Sequence, residues 1–92
     1  MEVIWTDTAL ETYLAVAGYL LDYWNNKELE TFELKVNQLI ERINDFNQVC
    51  PESKLYGYRK CVIDKQNSLI YAITNDKLIL VTFLDNRSEH QF

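Results

Sequence analysis

The chain has 92 residues and a formal net charge of −5 at pH 7, with 48% hydrophobic and 25% charged residues. These values predict one globular domain spanning residues 1–92, and they exclude a disordered or low-complexity chain. They also disfavour a dedicated nucleic-acid-binding protein, which normally carries an excess of basic residues.

The N-terminal segment MEVIWTDTAL has no basic region followed by an apolar stretch. We therefore predict no signal peptide and a cytoplasmic location. The longest apolar runs of the chain are short and interrupted, which predicts no membrane-spanning segment. Residues 1–5 form a strand candidate with Val3 and Trp5 on one face.

A first helix is predicted over residues 6–24, where apolar side chains recur every three or four residues. Thr6, Asp7 or Thr8 can cap its start, and Thr8 with Glu11 has capping-box spacing. The expected core stripe comprises Leu10, Tyr13, Leu14, Ala17, Leu20, Leu21 and Trp24.

A second helix follows almost at once, and we expect Asn25 and Asn26 to end the first, because asparagine tolerates the left-handed conformation. The short link predicts an antiparallel helical hairpin, whose apolar stripes we interpret as core packing. The stripe of the second helix comprises Leu29, Phe32, Val36, Leu39, Ile43 and Phe46.

Three strands are predicted after Pro51, which ends any helical continuation. They cover residues 58–64, 68–74 and 77–84, and the polar segments KQN and NDK between them indicate tight turns. The element order is therefore β-α-α-β-β-β. We predict an α+β fold in which the helical hairpin covers one face of an antiparallel four-stranded sheet and leaves the other face free.

Cysteine usage bears on the cellular compartment and on metal binding. Cys50 and Cys61 could pair, but without an export signal we expect free thiols in a reducing compartment. We interpret Cys61 as a small buried strand residue. Two cysteines and one histidine in no ligand spacing predict no metal site, and nothing indicates a cofactor.

Several segments together resemble the RelE/ParE superfamily of bacterial toxins from type II toxin–antitoxin modules. VIWTDTALETYLAVAGYL is similar to the opening strand and first helix of that superfamily, and YRKCVI, NSLIYAI and LILVTFLDNR are similar to its three closing strands. The most specific matches are Arg59, the LIY that ends at Tyr71, and Arg87 after the last strand. The resemblance spans nearly the whole chain.

This resemblance implies one of two activities. Members of the RelE type cut messenger RNA in the ribosomal A site without metal. Members of the ParE type, which include plasmid stabilisation proteins, poison DNA gyrase and perform no known chemistry. Both types are held inactive by a cognate antitoxin whose disordered segment folds onto the toxin.

Metal-free RNA cleavage needs a base, an acid and cations around the phosphorane. In the RNA-cutting relatives these come from basic residues on the first closing strand, an arginine at the start of the next, an arginine after the last strand and a C-terminal tyrosine. Arg59, with Lys60 beside it, and Arg87 match two of these positions. Ser68 replaces the middle arginine, and the chain stops at Phe92 without the tyrosine.

The remaining candidates have two interpretations each. His90 is a possible acid or base because its unperturbed pKa lies near neutrality, although a histidine this close to the end is more typical of a surface tail. Arg59 and Arg87 either sit together on the free sheet face and bind an anionic group, or pair with Asp64 and Asp85 as ordinary surface arginines.

The distribution of charge favours the non-catalytic activity. Residues 1–53 hold ten acidic and three basic residues, whereas residues 54–92 hold four acidic and six basic residues. A nuclease directed at the ribosome must approach a dense phosphate surface, which the acidic half opposes.

We therefore predict a ParE-like toxin that binds DNA gyrase without catalysis, with Arg59 and Arg87 as binding residues. Through the resemblance, its helical hairpin and C-terminal end are the expected gyrase contacts. Its other partners are a cognate antitoxin and, as a possibility, a second copy or a toxin–antitoxin hetero-oligomer. One alternative is a metal-independent endoribonuclease that acts on the ribosome and mRNA through Arg59, Lys60, Arg87 and His90. A second alternative is a non-toxic interaction protein that retains the fold.

Overall fold

The computed structural model describes residues 1–88 and 91–92, and His90 therefore lies outside the described residues. The predicted order and the α+β class are confirmed. The elements are β1 (Glu2–Trp5), α1 (Asp7–Tyr23), α2 (Asn26–Asp45), β2 (Arg59–Val62), β3 (Asn67–Thr74) and β4 (Lys77–Asp85).

The sheet has the strand order β1-β4-β3-β2. As predicted, β2, β3 and β4 form an antiparallel meander. The prediction of a wholly antiparallel sheet is wrong, because β1 pairs with β4 in parallel, with Val3 opposite Leu78. These two strands are distant in sequence, so no tight turn between them imposes an antiparallel pairing.

Local side chains explain the tight turns that connect the meander. Asn75 and Asp76 have φ angles of 53° and 60°, the left-handed values that a two-residue hairpin turn requires and that asparagine and aspartate tolerate. In the preceding turn, one carboxylate oxygen of Asp64 accepts hydrogen bonds from the backbone N–H groups of Gln66 and Asn67, each at 2.8 Å. Both predicted turns are thus present.

The caps of the helices differ partly from the prediction. Thr6 is the N-cap of α1, since its hydroxyl accepts from the Ala9 N–H at 3.0 Å, so Thr8 lies inside the helix and forms no capping box. Asn25 does not end α1 in a left-handed conformation. It is extended and caps α2 instead, with its side-chain oxygen 2.9 Å from the Glu28 N–H.

Both helices pack against one face of the sheet. The core cluster contains Ala9 of α1, the four buried residues of α2, Cys50, and buried residues of β2, β3 and β4. Val3 of β1 is partly buried and packs against this cluster. The α2 stripe is confirmed over Phe32, Val36, Leu39 and Ile43, whereas Phe46, just past the helix, is exposed. The α1 prediction is partly wrong, because the buried side of that helix is centred on Ala9, Tyr13, Val16 and Leu20. Four members of the predicted stripe are exposed: Leu10, Leu14, Leu21 and the C-cap residue Trp24.

The face of the sheet away from the helices is not free at its centre. Ser68, Ile70 and Thr82 alternate along their strands with core-facing residues, and all three are buried. Among residues 1–88 and 91–92, no helix is long and apolar enough to cross a membrane.

Candidate functional site

Arg59 lies at the start of β2, in register with Tyr71 of β3. Paired residues of an antiparallel sheet project to the same face, so Arg59 lies on the helix-covered side. One guanidinium nitrogen donates to the Cys50 carbonyl at 2.7 Å, and the other lies 3.8 Å from the Glu52 carboxylate. The side chain therefore holds the segment before β2 against the edge of the sheet.

Tyr71, which lies opposite Arg59 on β3, also contacts the segment between α2 and β2. Its hydroxyl donates to the Asn47 carbonyl at 2.6 Å. Burial raises the pKa of Tyr71, and the nearby Arg59 charge opposes that rise in pKa. Tyr71 thus joins the end of the helical hairpin to the central strand β3, beside the place where Arg59 holds the segment before β2.

Arg87 follows the end of β4 and is paired with Asp85. Its Nε and Nη2 atoms donate to the two carboxylate oxygens at 3.0 and 2.8 Å, and its backbone N–H donates to the first at 2.9 Å. These contacts, led by the side-chain hydrogen bond from Arg87, lower the pKa of Asp85 to about 2. The fork that would bind an external anion is therefore engaged by an internal carboxylate.

The structure does not bring Arg59 and Arg87 into contact. The contacts described for Arg59 lie in the segment before β2, whereas those of Arg87 lie at the end of β4. Strand β3 separates β2 from β4. These contacts therefore do not form a shared anion site on the face of the sheet away from the helices. A partner-binding role for Arg59 and Arg87 stays a prediction.

Ser68 stands where the RNA-cutting relatives have an arginine, and it is fully buried. Its hydroxyl donates to the Asn86 side-chain oxygen at 2.5 Å. The amide nitrogen of Asn86 in turn donates to the Asp64 carbonyl at 3.1 Å and to the Lys65 carbonyl at 3.4 Å. This network connects the β2–β3 turn to the end of β4. The position at which the RNA-cutting relatives have an arginine is thus occupied here by a serine whose hydroxyl makes a structural hydrogen bond.

Lys60 is the next residue of β2 and is in register with Ile70. It therefore projects to the face opposite Arg59, because successive strand residues alternate between faces. The predicted nuclease set is thus divided between the two faces of the sheet, and its fourth member, His90, lies outside the described residues.

The last residue of the chain lies beside the loop before β2. The Phe92 carbonyl accepts from the Lys54 N–H at 3.1 Å, and its ring centroid is 6.0 Å from that of Tyr58. Sequence reasoning treated this end as a surface tail and missed the contact. The only signal was an aromatic residue at the C-terminus, which is weak evidence for docking by itself.

Cys50 and Cys61 form a disulfide, with Cα atoms 5.2 Å apart. The expectation of free thiols is therefore wrong for this structure. Cys61 is buried on β2, as predicted, and Cys50 is almost as inaccessible. The bond attaches the segment before β2 to the strand at the place where Arg59 also holds it.

A cavity of about 300 Å³ lies between α1 and the end of β4. Its lining residues include the apolar Val16, Leu20 and Phe83 as well as the charged Asp85 and Arg87. Within the described ranges, no group of histidine, cysteine or acidic side chains is arranged to hold a metal ion.

The chain matches the family model of the ParE toxin of the type II toxin–antitoxin system parDE over residues 3–90. No curated protein matches it in sequence.

Solved structures of toxin–antitoxin proteins share the fold. A protein of the chromosomal ParDE toxin–antitoxin system from P. aeruginosa has a TM-score of 0.77 and 12% identity, covering 92% of this chain and 95% of the other. The YoeB/ParE toxin from Agrobacterium tumefaciens has a TM-score of 0.69 and 14% identity, covering 94% and 99%. A chain of the YoeB–YefM complex from Staphylococcus aureus has a TM-score of 0.64 and 20% identity, covering 91% and 94%.

Proposed function

Because the chain belongs to the ParE toxin family of type II toxin–antitoxin systems, we propose that it acts by binding DNA gyrase and does not itself catalyse a reaction. The observation that carries this proposal is the burial of Ser68 in its hydrogen bond to Asn86. An RNA-cutting member would need a cation at this place to stabilise the charge that develops on the phosphorane.

The other described candidates support the same proposal. Arg59 is engaged with the Cys50 carbonyl and Lys60 projects to the opposite face. Arg87 is engaged with Asp85. Acid–base catalysis requires groups held together around one reacting atom, and these side chains are dispersed.

The proposed cellular partners are a cognate antitoxin and gyrase. Solved relatives support the first, since the S. aureus YoeB–YefM toxin–antitoxin pair is described as a heterotetrameric complex. The S. aureus YoeB is also described as a dimer. We propose that this chain likewise forms a toxin–antitoxin hetero-oligomer in the cytoplasm, in which the antitoxin segment buries apolar surface as it folds.

Expression of the protein without an antitoxin in a bacterium tests this function. Gyrase poisoning predicts induction of the DNA damage response and filamentous cells, while bulk translation continues at first. The RNase alternative predicts rapid translation arrest with cuts in the ribosomal A site. A folded protein that causes no growth defect would instead support the non-toxic interaction protein.

Substitution of the candidate residues separates the two toxic activities further. Arg87→Ala and His90→Ala should cause no change in codon-specific mRNA cleavage, because the wild-type protein is proposed not to cut mRNA. Lys77→Ala is a matched control for Arg87→Ala, since Lys77 is an exposed, ion-paired cation at the opposite end of β4. Loss of codon-specific cleavage in a ribosome assay with Arg87→Ala and His90→Ala, but not with Lys77→Ala, would show that the protein is a nuclease.

A further inference from the structure

Helix α1 and its C-cap residue Trp24 carry a line of apolar side chains that the fold leaves uncovered. Leu10, Leu14, Leu21 and Trp24 are 48%, 58%, 49% and 58% exposed. Their spacing of four, seven and three residues places them along one side of the helix, next to its buried side. Single exposed apolar residues are common on protein surfaces, but four large ones along one side of a helix are typical of an interaction surface.

The charges on the helix that carries this line are all negative. The charged residues of α1 are Asp7, Glu11 and Asp22, all acidic. On α2, Glu33 lies close enough to contribute, after burial, to the raised pKa of Tyr13. Among the described residues, none of the three ion pairs involves either helix. The acidic groups beside the line are therefore not neutralised by ion pairs within the described residues.

We propose that the outer line of α1 docks a basic amphipathic helix of a partner protein. The line extends over 15 residues, or about 21 Å at the rise of an α-helix, which matches about four turns of a partner helix. Leucine-type residues of that helix would pack between Leu14 and Leu21, and its flanking lysine or arginine residues would face Glu11 and Asp22.

A second copy of the chain fits this surface poorly. Two α1 helices packed through their outer lines would bring acidic residues against acidic residues in either orientation, because α1 contains no basic residue. The inference concerns the chemistry of the partner, and it does not depend on whether gyrase or the ribosome is the target.

Binding of designed peptides to the full chain tests the proposal. The probe is a fluorescein-labelled 15-residue peptide with leucines at three- and four-residue steps and lysines on the other positions. One control peptide has the same composition in a permuted order, and another has glutamate in place of lysine. We expect the probe to bind about tenfold or more tightly than either control, with an affinity that falls as salt is added.

Matched variants of the protein locate the binding surface. L14Q/L21Q should weaken binding of the probe by about tenfold, because two apolar contacts are lost. Leu34→Gln is the control, since Leu34 is 57% exposed but lies on α2 away from the line. It should change affinity less than about twofold. E11Q/D22N should weaken binding and reduce its salt dependence, and it remains informative if L14Q/L21Q does not fold.

Three results would overturn the proposal. The first is equal affinity for the probe and the permuted peptide. The second is an equal loss of affinity in Leu34→Gln and L14Q/L21Q. The third is a homodimer, seen by analytical ultracentrifugation, that L14Q/L21Q dissociates and Leu34→Gln does not, because a second copy would then occupy the surface.

Discussion

Arg59 and Arg87 look alike in sequence, since each is an arginine at one end of a strand, but their environments differ. Arg59 is mostly buried and donates to a backbone carbonyl, whereas Arg87 is exposed and pairs with a carboxylate two residues away. Sequence alone identified both positions through the family resemblance. It offered Asp85 as a partner, and the structure confirms that pairing for Arg87. It could not assign the partners of Arg59, because these depend on how the segment before β2 folds back.

The buried contact of Arg59 predicts a structural role. Arg59→Gln should lower the free energy of unfolding by about 2 kcal/mol, because the Cys50 carbonyl loses its charged donor. Arg87→Gln is the matched control and should lower the midpoint of urea unfolding less than Arg59→Gln does, since an exposed ion pair contributes little. Equal destabilisation by both substitutions would contradict this difference between the two arginines.

The Asp85–Arg87 pair predicts a specific titration. The pKa of Asp85 should be about 2 in the wild type and should rise toward its ordinary value of 3.8 in Arg87→Gln. Because the folded pKa is below the unfolded one, the pair favours the folded state above about pH 4, and this contribution disappears as the pH falls toward 2. Carboxyl chemical shifts from NMR measure both values, and an unchanged pKa in the variant would exclude the hydrogen bond as its cause.

At the scale of elements, the caps show what sequence patterns could and could not predict. The pattern favoured one of three residues, Thr6, Asp7 or Thr8, and the structure selects Thr6. Its hydroxyl also donates to the Val81 carbonyl of β4 at 2.8 Å. That second contact is made to a strand far away in sequence, so no local motif indicates it.

The double contact of Thr6 predicts a larger effect than an ordinary cap. Thr6→Ala should lower the free energy of unfolding by about 2 kcal/mol, since it removes the cap and the link to β4. Asn25→Ala, which removes only the cap of α2, should lower it by about 1 kcal/mol. Thr8→Ala should change it by less than about 0.5 kcal/mol, because Thr8 lies on the exposed side of the helix. Urea unfolding ranks the three, and a largest loss in Thr8→Ala would favour the capping box instead.

The disulfide gives a second prediction for the elements. Closing the segment between Cys50 and Cys61, which are 11 residues apart, should stabilise the fold by about 3 kcal/mol through the lower entropy of the unfolded chain. C50S/C61S should therefore unfold at a lower urea concentration than the oxidised wild type. The reduced wild type should approach the double variant. Identical midpoints for the oxidised wild type and C50S/C61S would contradict a stabilising disulfide.

For α1, the periodicity was ambiguous in a way that only packing resolves. Apolar residues occupy two adjacent lines of this helix, one beginning at Ala9 and one at Leu10. Either line satisfies the helical period. The structure buries the first, because Tyr13 packs against Phe32 and Phe83.

At the scale of the whole molecule, the fold class was readable from the sequence because each level of pattern agreed. The two longest strands, β3 and β4, occupy the centre of the sheet, and the shorter β1 and β2 occupy its edges. The direction of β1 was not readable, because it depends on where the helical hairpin returns the chain. The buried state of Ser68 was equally hidden, since its partner Asn86 lies 18 residues away.

The activity of the toxin depends on the whole molecule, because the fold determines where its charged side chains lie relative to one another. Arg59 and Lys60 project to opposite faces and Arg87 is paired with its own carboxylate. The chain thus has the fold of a toxin family, while these three basic side chains do not share one face with their charges unpaired.

The most direct test is a parallel assay of the purified chain on gyrase with plasmid DNA and on programmed ribosomes. The account predicts inhibition of supercoiling or accumulation of gyrase-linked DNA breaks, with no cut in mRNA at the A site. Codon-dependent mRNA cleavage at catalytic protein concentrations, with gyrase unaffected, would contradict it.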